Sequence, residues 1–173
     1  MTPPHNIVLV GFMGTGKSCA GKLLAERLDM TFLDMDEILV ERAGKSVPRI
    51  FAEDGEPHFR ALERELAREL SARQGLVIAA GGGIVLDPHN IKDLSRTGVV
   101  VCLSATPEAI EARVGRDTNR PLLAGGDKRK KIAELLERRA PFYAALPHQV
   151  DTTGLSVEHV ADRVLSLYRA RGS

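Results

Sequence analysis

Short apolar runs punctuate the chain at Ile7-Val8-Leu9-Val10, Thr31-Phe32-Leu33, Leu76-Val77-Ile78-Ala79 and Val99-Val100-Val101-Cys102-Leu103, with a weaker one at Gln149-Val150. Apolar residues follow one another in these runs without alternating, the pattern of strands covered on both faces. Between them apolar positions recur at helical spacing. Glu56–Leu70 places Phe59, Leu62, Leu66 and Leu70 three and four residues apart, and Lys17–Leu28 gathers Leu23, Leu24 and Leu28. Further helices are predicted at Pro88–Ser95, Pro107–Val114, Lys128–Ala145 and Val157–Arg169. Strands alternating with crossovers of this length predict an α/β protein with a doubly wound parallel sheet. Arg116–Asp127, rich in Gly, Pro, Asp and Asn, predicts a mobile loop. Ligands of such sheets bind at the carboxyl ends of the strands, so the loops after strands are where chemistry is sought.

Composition narrows the class. A chain of 173 residues, 43% hydrophobic, is long enough for one well-filled core and favours a single domain spanning 1–173. Lys plus Arg number 24 against 23 Asp plus Glu, a balance that argues against a dedicated nucleic-acid binder. The longest apolar runs fall far short of the roughly 20 residues of a membrane span. Met1–Asn6 leads straight into a predicted strand, so no secretory leader is expected before the fold. Cys19 and Cys102 form no disulfide framework, and neither they nor the five histidines show metal-ligand spacing. The expectation is a cytoplasmic protein with neither a membrane nor nucleic acid as partner.

Gly11-Phe12-Met13-Gly14-Thr15-Gly16-Lys17-Ser18 fits the phosphate-loop pattern G-x-x-x-x-G-K-S/T in full. It follows the first predicted strand and opens the first predicted helix, the context the motif requires. Its glycines let the backbone turn its N–H groups inward at the positive end of a helix, making a nest for an anion. Lys17 can reach the β- and γ-phosphates of a nucleoside triphosphate, and the Ser18 hydroxyl can ligate Mg²⁺. The guanine motif Asn-Lys-x-Asp of a GTPase is absent. Asp151-Thr152-Thr153-Gly154 matches the short switch pattern D-x-x-G, but it follows the fifth strand and reads as coincidence. A translocating ATPase needs an acidic pair ending a central strand, whereas Leu76–Ala80 runs into Gly81-Gly82-Gly83. A small-molecule kinase remains. Asp34 and Asp36 close the second run, where one carboxylate can organise Mg²⁺ through water and the other accept a hydroxyl proton. Either can also cap the helix that follows. Three glycines after a strand suggest backbone that must come close to a ligand.

Taken together, these pieces resemble the shikimate kinases over nearly the whole chain, from Asn6 to Tyr168. The resemblance is carried by the phosphate loop, Phe32-Leu33-Asp34-Met35-Asp36, Ile50-Phe51 with Asp54-Gly55-Glu56, and Phe59-Arg60. Gly81-Gly82-Gly83, Arg120-Pro121-Leu122-Leu123 and Arg139-Ala140-Pro141-Phe142-Tyr143 follow in the same order. It implies a three-layer α/β/α phosphate-loop fold with a five-stranded parallel sheet of order 2-3-1-4-5. A substrate-binding helical region around 36–63 and a mobile lid at 116–127 come with it. The implied reaction moves the ATP γ-phosphate to the 3-hydroxyl of shikimate, with Mg²⁺, on the chorismate route to aromatic amino acids, and the expected enzyme is a monomer. Gly14, Thr15, Gly16, Lys17, Ser18 and Cys19 would hold ATP, with Arg113 against the adenine. Asp36 would hold substrate hydroxyls and act as base, and Asp34 would organise the Mg²⁺ waters beside Ser18. Arg60 and Arg139 would bind the shikimate carboxylate, Gly81, Gly82 and Gly83 would line its pocket, and Arg120 would swing in on the lid. Lys17, Asp36 and Arg120 are thus the implied catalytic set.

Spacing alone reads some of these residues otherwise. Arg139 lies among Glu137 and Arg138 on a predicted helix and would face solvent. Arg60 and Glu63 would form a surface ion pair, which the resemblance converts into a contact that aims Arg60. Lys128-Arg129-Lys130-Lys131 reads as a solvated helix start. Thr153-Gly154 stands where many members of the family place an arginine or proline near the adenine. The alternatives are a kinase for another small hydroxy acid, such as gluconate, and a regulatory module that binds without turnover.

Overall fold

The computed structural model describes residues 5–114 and 128–171. The expected lid at 116–127, with Arg120, lies outside the described residues. Five parallel strands form one sheet in the order β2-β3-β1-β4-β5: β1 (Asn6–Gly11), β2 (Thr31–Asp34), β3 (Leu76–Ala79), β4 (Gly98–Ser104) and β5 (Gln149–Asp151). The central strand pairs Ile7 with Val77 on one side and with Val99 on the other.

The unbroken apolar runs follow from layers on both faces. Ile7 and Leu9 point to one side, where α1 (Lys17–Leu28) contributes Ala20 and Leu24 and α8 (Val157–Ala170) contributes Val160 and Val164. Val8 and Val10 point to the other. They meet Leu66 and Leu70 of α4 (Glu56–Ser71), Leu94 of α5 (Pro88–Thr97), Ile110 of α6 (Pro107–Val114) and Ile132 of α7 (Lys128–Ala144). The buried face of α1 is Ala20, Gly21, Leu24 and Ala25; the expected Leu23 and Leu28 pack only at its edge.

Two helices that the apolar spacing did not reveal lie in the expected substrate-binding region, α2 (Met35–Ala43) and α3 (Val47–Asp54). Local chemistry sets their ends. Asp34 caps α2, Gly44 ends it at φ 70°, and the Ser46 side chain with Pro48 opens α3. Arg42 and Glu69 make a two-pronged bridge, at 2.8 and 2.7 Å, that ties α2 to α4 across an exposed groove. A short 3₁₀ turn, Ile84–Leu86, then leads from β3 towards α5.

Candidate active site

At the carboxyl edge of β1, β2 and β3 lies a cavity of about 750 Å³, walled by residues 13–19, Asp34, Asp36, Ala80–Gly82 and Arg113. One end belongs to the phosphate loop. Gly14 and Gly16 take φ values of 76° and 94°, a left-handed backbone that suits glycine and turns the chain into α1. Thr15 is buried, and its Oγ1 donates to the Phe12 carbonyl at 2.8 Å. Thr152, also buried, donates from Oγ1 to the Thr15 carbonyl at 3.0 Å, anchoring the loop to the end of β5. Arg113 donates to the Gly14 carbonyl at 2.8 Å and to the Thr152 carbonyl at 3.3 Å. The arginine expected against the base therefore also staples the phosphate loop to the segment after β5. Lys17 folds back along the loop, its Nζ 2.6 Å from the Gly11 carbonyl and 3.2 Å from that of Phe12. Cys19 is exposed and lies in the cavity wall.

Asp34 takes the capping role, one of the two readings offered for it. Its Oδ1 accepts from the backbone N–H groups of Asp36 and Glu37, at 2.9 and 3.2 Å, and so caps α2. Its Oδ2 accepts from Ser18 Oγ at 3.0 Å. One carboxylate thereby fixes the start of the helix that carries Asp36 and sets an oxygen beside the loop hydroxyl.

The other end is built around Gly81, Gly82 and Gly83, and a missing Cβ explains each. None of the three has a left-handed backbone. A Cβ on Gly81 would stand 2.8 Å from Asp36 Oδ1 and 3.0 Å from Glu63 Oε2. On Gly82 it would stand 3.2 Å from a terminal nitrogen of Arg139, and on Gly83 it would strike the Arg60 guanidinium, 2.6 Å from Cζ. The glycines make room for charged side chains to lie flat against the turn.

Arg139 is 4% exposed, contrary to the surface position that its charged neighbours suggested, and its guanidinium lies 6.0 Å above the Phe12 ring. The helix turns it inward with Tyr143, whose hydroxyl donates to the Gly82 carbonyl at 2.6 Å. Burial pushes that phenol up to about 12, so it stays a neutral donor. Arg60 is gripped on both sides, by Glu56 at 3.1 Å and by Glu63 at 3.2 Å. Glu63 is buried rather than superficial, and burial pushes its carboxyl up to about 7 against the pull of Arg60 and Arg139, with Asp36 adding to the rise. The resemblance gave Glu63 the task of aiming Arg60 without placing it in the interior, and Tyr143 carried no expected role. The signal for Glu63 was its place on the apolar stripe, four residues after Phe59 and three before Leu66.

Residues 13–169 match the family model described as shikimate kinase. A shikimate kinase from Geobacter metallireducens is 45% identical over 167 residues, covering 96% of this chain and 93% of the relative. One from Desulforudis audaxviator is 47% identical over 168 residues, covering 97% and 88%. The solved shikimate kinase of Acinetobacter baumannii, in complex with shikimate, superposes with a TM-score of 0.92 at 36% identity, covering 97% of this chain and 94% of that one. A gluconokinase from Sinorhizobium meliloti reaches a TM-score of 0.61 at 16% identity over 98% of this chain and 94% of its own, a likeness of fold alone. With matches over 96% of the chain in sequence and 97% in structure, this chain belongs to the shikimate kinase family.

Proposed function

We propose that this site transfers the γ-phosphate of ATP to the 3-hydroxyl of shikimate, giving shikimate 3-phosphate and ADP, in the synthesis of aromatic amino acids. The observation that carries the reading is the meeting of Asp36, Arg60 and Arg139 on the triple-glycine turn, beside the phosphate loop. Two guanidiniums in one enclosed corner suit a small carboxylate, which each can hold with paired N–H donors. Asp36 then stands at the hydroxyl side of the acceptor, within reach of both pocket and loop.

In the reaction Asp36 accepts the proton of the 3-hydroxyl, and that oxygen attacks the γ-phosphorus as the bond to the β-phosphate oxygen breaks. Residues 14–19 hold the phosphates through backbone N–H groups, with Lys17 balancing charge that moves toward ADP. Arg113 rests against the base side of the nucleotide. The same reading adds Arg120, carried by Arg120-Pro121-Leu122-Leu123 outside the described residues, as the arginine that steadies the transferring group. Ser18 Oγ and Asp34 Oδ2, 3.0 Å apart, form an all-oxygen set that fits Mg²⁺, a hard cation that keeps much of its hydration. When bound, Mg²⁺ supplies charge neutralisation at the β- and γ-oxygens. The near-balance of charge speaks against nucleic acid as a partner, and the same reading takes the enzyme to be a cytoplasmic monomer with a small-molecule acceptor and no membrane partner. Among the described residues, no helix is long and apolar enough to cross a membrane.

Asp36→Asn tests the assignment. Turnover should fall by a factor of about 100 or more while both substrates still bind. Activity near that of the parent chain would remove Asp36 from the role of base.

A further inference from the structure

Glu63 is 1% exposed, and its oxygens are treated unequally. Oε1 accepts from Arg60 at 3.2 Å, while Oε2 has no hydrogen-bond partner among the described residues. Oε2 and Asp36 Oδ1 press on the same face of Gly81, 3.0 and 2.8 Å from the place a Cβ would take. Two carboxylates thus share one glycine-walled corner. The charges that face Glu63 are few. Its own helix supplies Arg60, held on its outer edge by exposed Glu56; α2 supplies Asp36 and α7 supplies Arg139. The wall at Gly81–Gly83 carries no ionisable group, and Arg64 on α4 turns away to Asp93 of α5 at 2.7 Å.

Within this corner the two guanidiniums and two carboxylates cancel. A monoanionic acid bound between Arg60 and Arg139 leaves one negative charge in excess and competes with Glu63 for Arg60. Enclosed, unbalanced charge is costly, and protonating a carboxylate relieves it. Glu63 is the group placed to accept that proton, since the residue is sealed from water and its Oε2 presses on Gly81 beside Asp36 Oδ1, whereas Asp36 also lines the open cavity.

We propose that binding of the shikimate carboxylate draws one proton from solvent onto Glu63, whose new O–H is directed at Asp36. The inference rests on the corner being the shikimate site. No other bond changes: the proton leaves the buffer and the Glu63 carboxylate becomes a neutral acid. Burial already holds the Glu63 carboxyl near 7, so the corner is poised for a further charge to complete the change. Because binding takes up a proton, shikimate affinity should fall as pH rises above about 7. Below that value Glu63 is already neutral and contributes no dependence.

Calorimetric titration of the whole chain with shikimate at pH 8, in buffers of differing ionisation heat, reads the coupling directly. The expected uptake is several tenths of a proton per shikimate, with affinity dropping severalfold between about pH 7 and 8.5. Glu63→Gln should abolish both effects. An infrared difference spectrum of the parent chain should gain a carboxylic-acid carbonyl band when shikimate is added, which covers the case of a variant that does not fold. Binding without buffer dependence, uptake that persists in Glu63→Gln, or no new carbonyl band would overturn the inference and leave the shikimate site standing. Absence of shikimate binding would instead overturn the site reading, and the coupling with it.

Discussion

At the scale of single residues, the acceptor corner depends on atoms that are missing as much as on those present. A methyl group on Gly83 would strike the Arg60 guanidinium. Gly83→Ala should therefore raise the KM for shikimate about tenfold or more, because a displaced arginine loses its alignment on the acid. The KM for ATP should not move; steady-state kinetics with each substrate varied in turn would show it, and a parallel rise for ATP would count against the assignment. Glu63 gives a second expectation, in stability. Its carboxyl rises from 4.5 unfolded to about 7 folded, so the folded chain binds the extra proton and loses stability as pH climbs between these values. Relative to Glu63→Gln, the parent chain should lose up to about 3 kcal/mol between pH 4.5 and pH 8, read as a widening gap in denaturant midpoints. A constant gap would mean that the Glu63 carboxyl titrates alike in the folded and unfolded chain, so that burial does not raise it.

At the scale of elements, Asp34 links the strand to both functions it supports. Asp34→Ala removes the cap of α2 and the partner of Ser18 together. About 1 kcal/mol of stability should go with the cap, and turnover should fall further than stability does, with more Mg²⁺ needed for half-maximal rate. Thermal unfolding and a Mg²⁺ titration separate the two losses. The elements also show what can be read before folding. The strands and the phosphate loop were legible because continuous apolar runs and a glycine spacing are local signals. α2 and α3 were not, since their short spans are fixed by caps at Asp34 and Ser46 and by contacts with α4. Arg139 was misplaced by spacing alone because its burial depends on Phe12 and Gly82, which are remote in sequence. Likeness to the family, not periodicity, pointed to it.

At the scale of the whole molecule, the sheet sets two chemistries side by side. β1 delivers the phosphate loop, β2 delivers Asp34 and, just after it, Asp36 in the first turn of α2, and β3 delivers the triple-glycine turn, all at one edge because the strands are parallel and adjacent. α4 and α7 then bring Arg60 and Arg139 against that glycine turn. The groups proposed for donor and acceptor thus lie side by side, and the proposed function turns on which acid is phosphorylated. The most direct measurement is Mg²⁺-dependent release of ADP from ATP in the presence of shikimate, quinate, gluconate or no acceptor. Strong release with shikimate, and background release with the other three, is the expected result. Equal or greater release with gluconate or quinate, or silence with shikimate while ATP still binds, would contradict it.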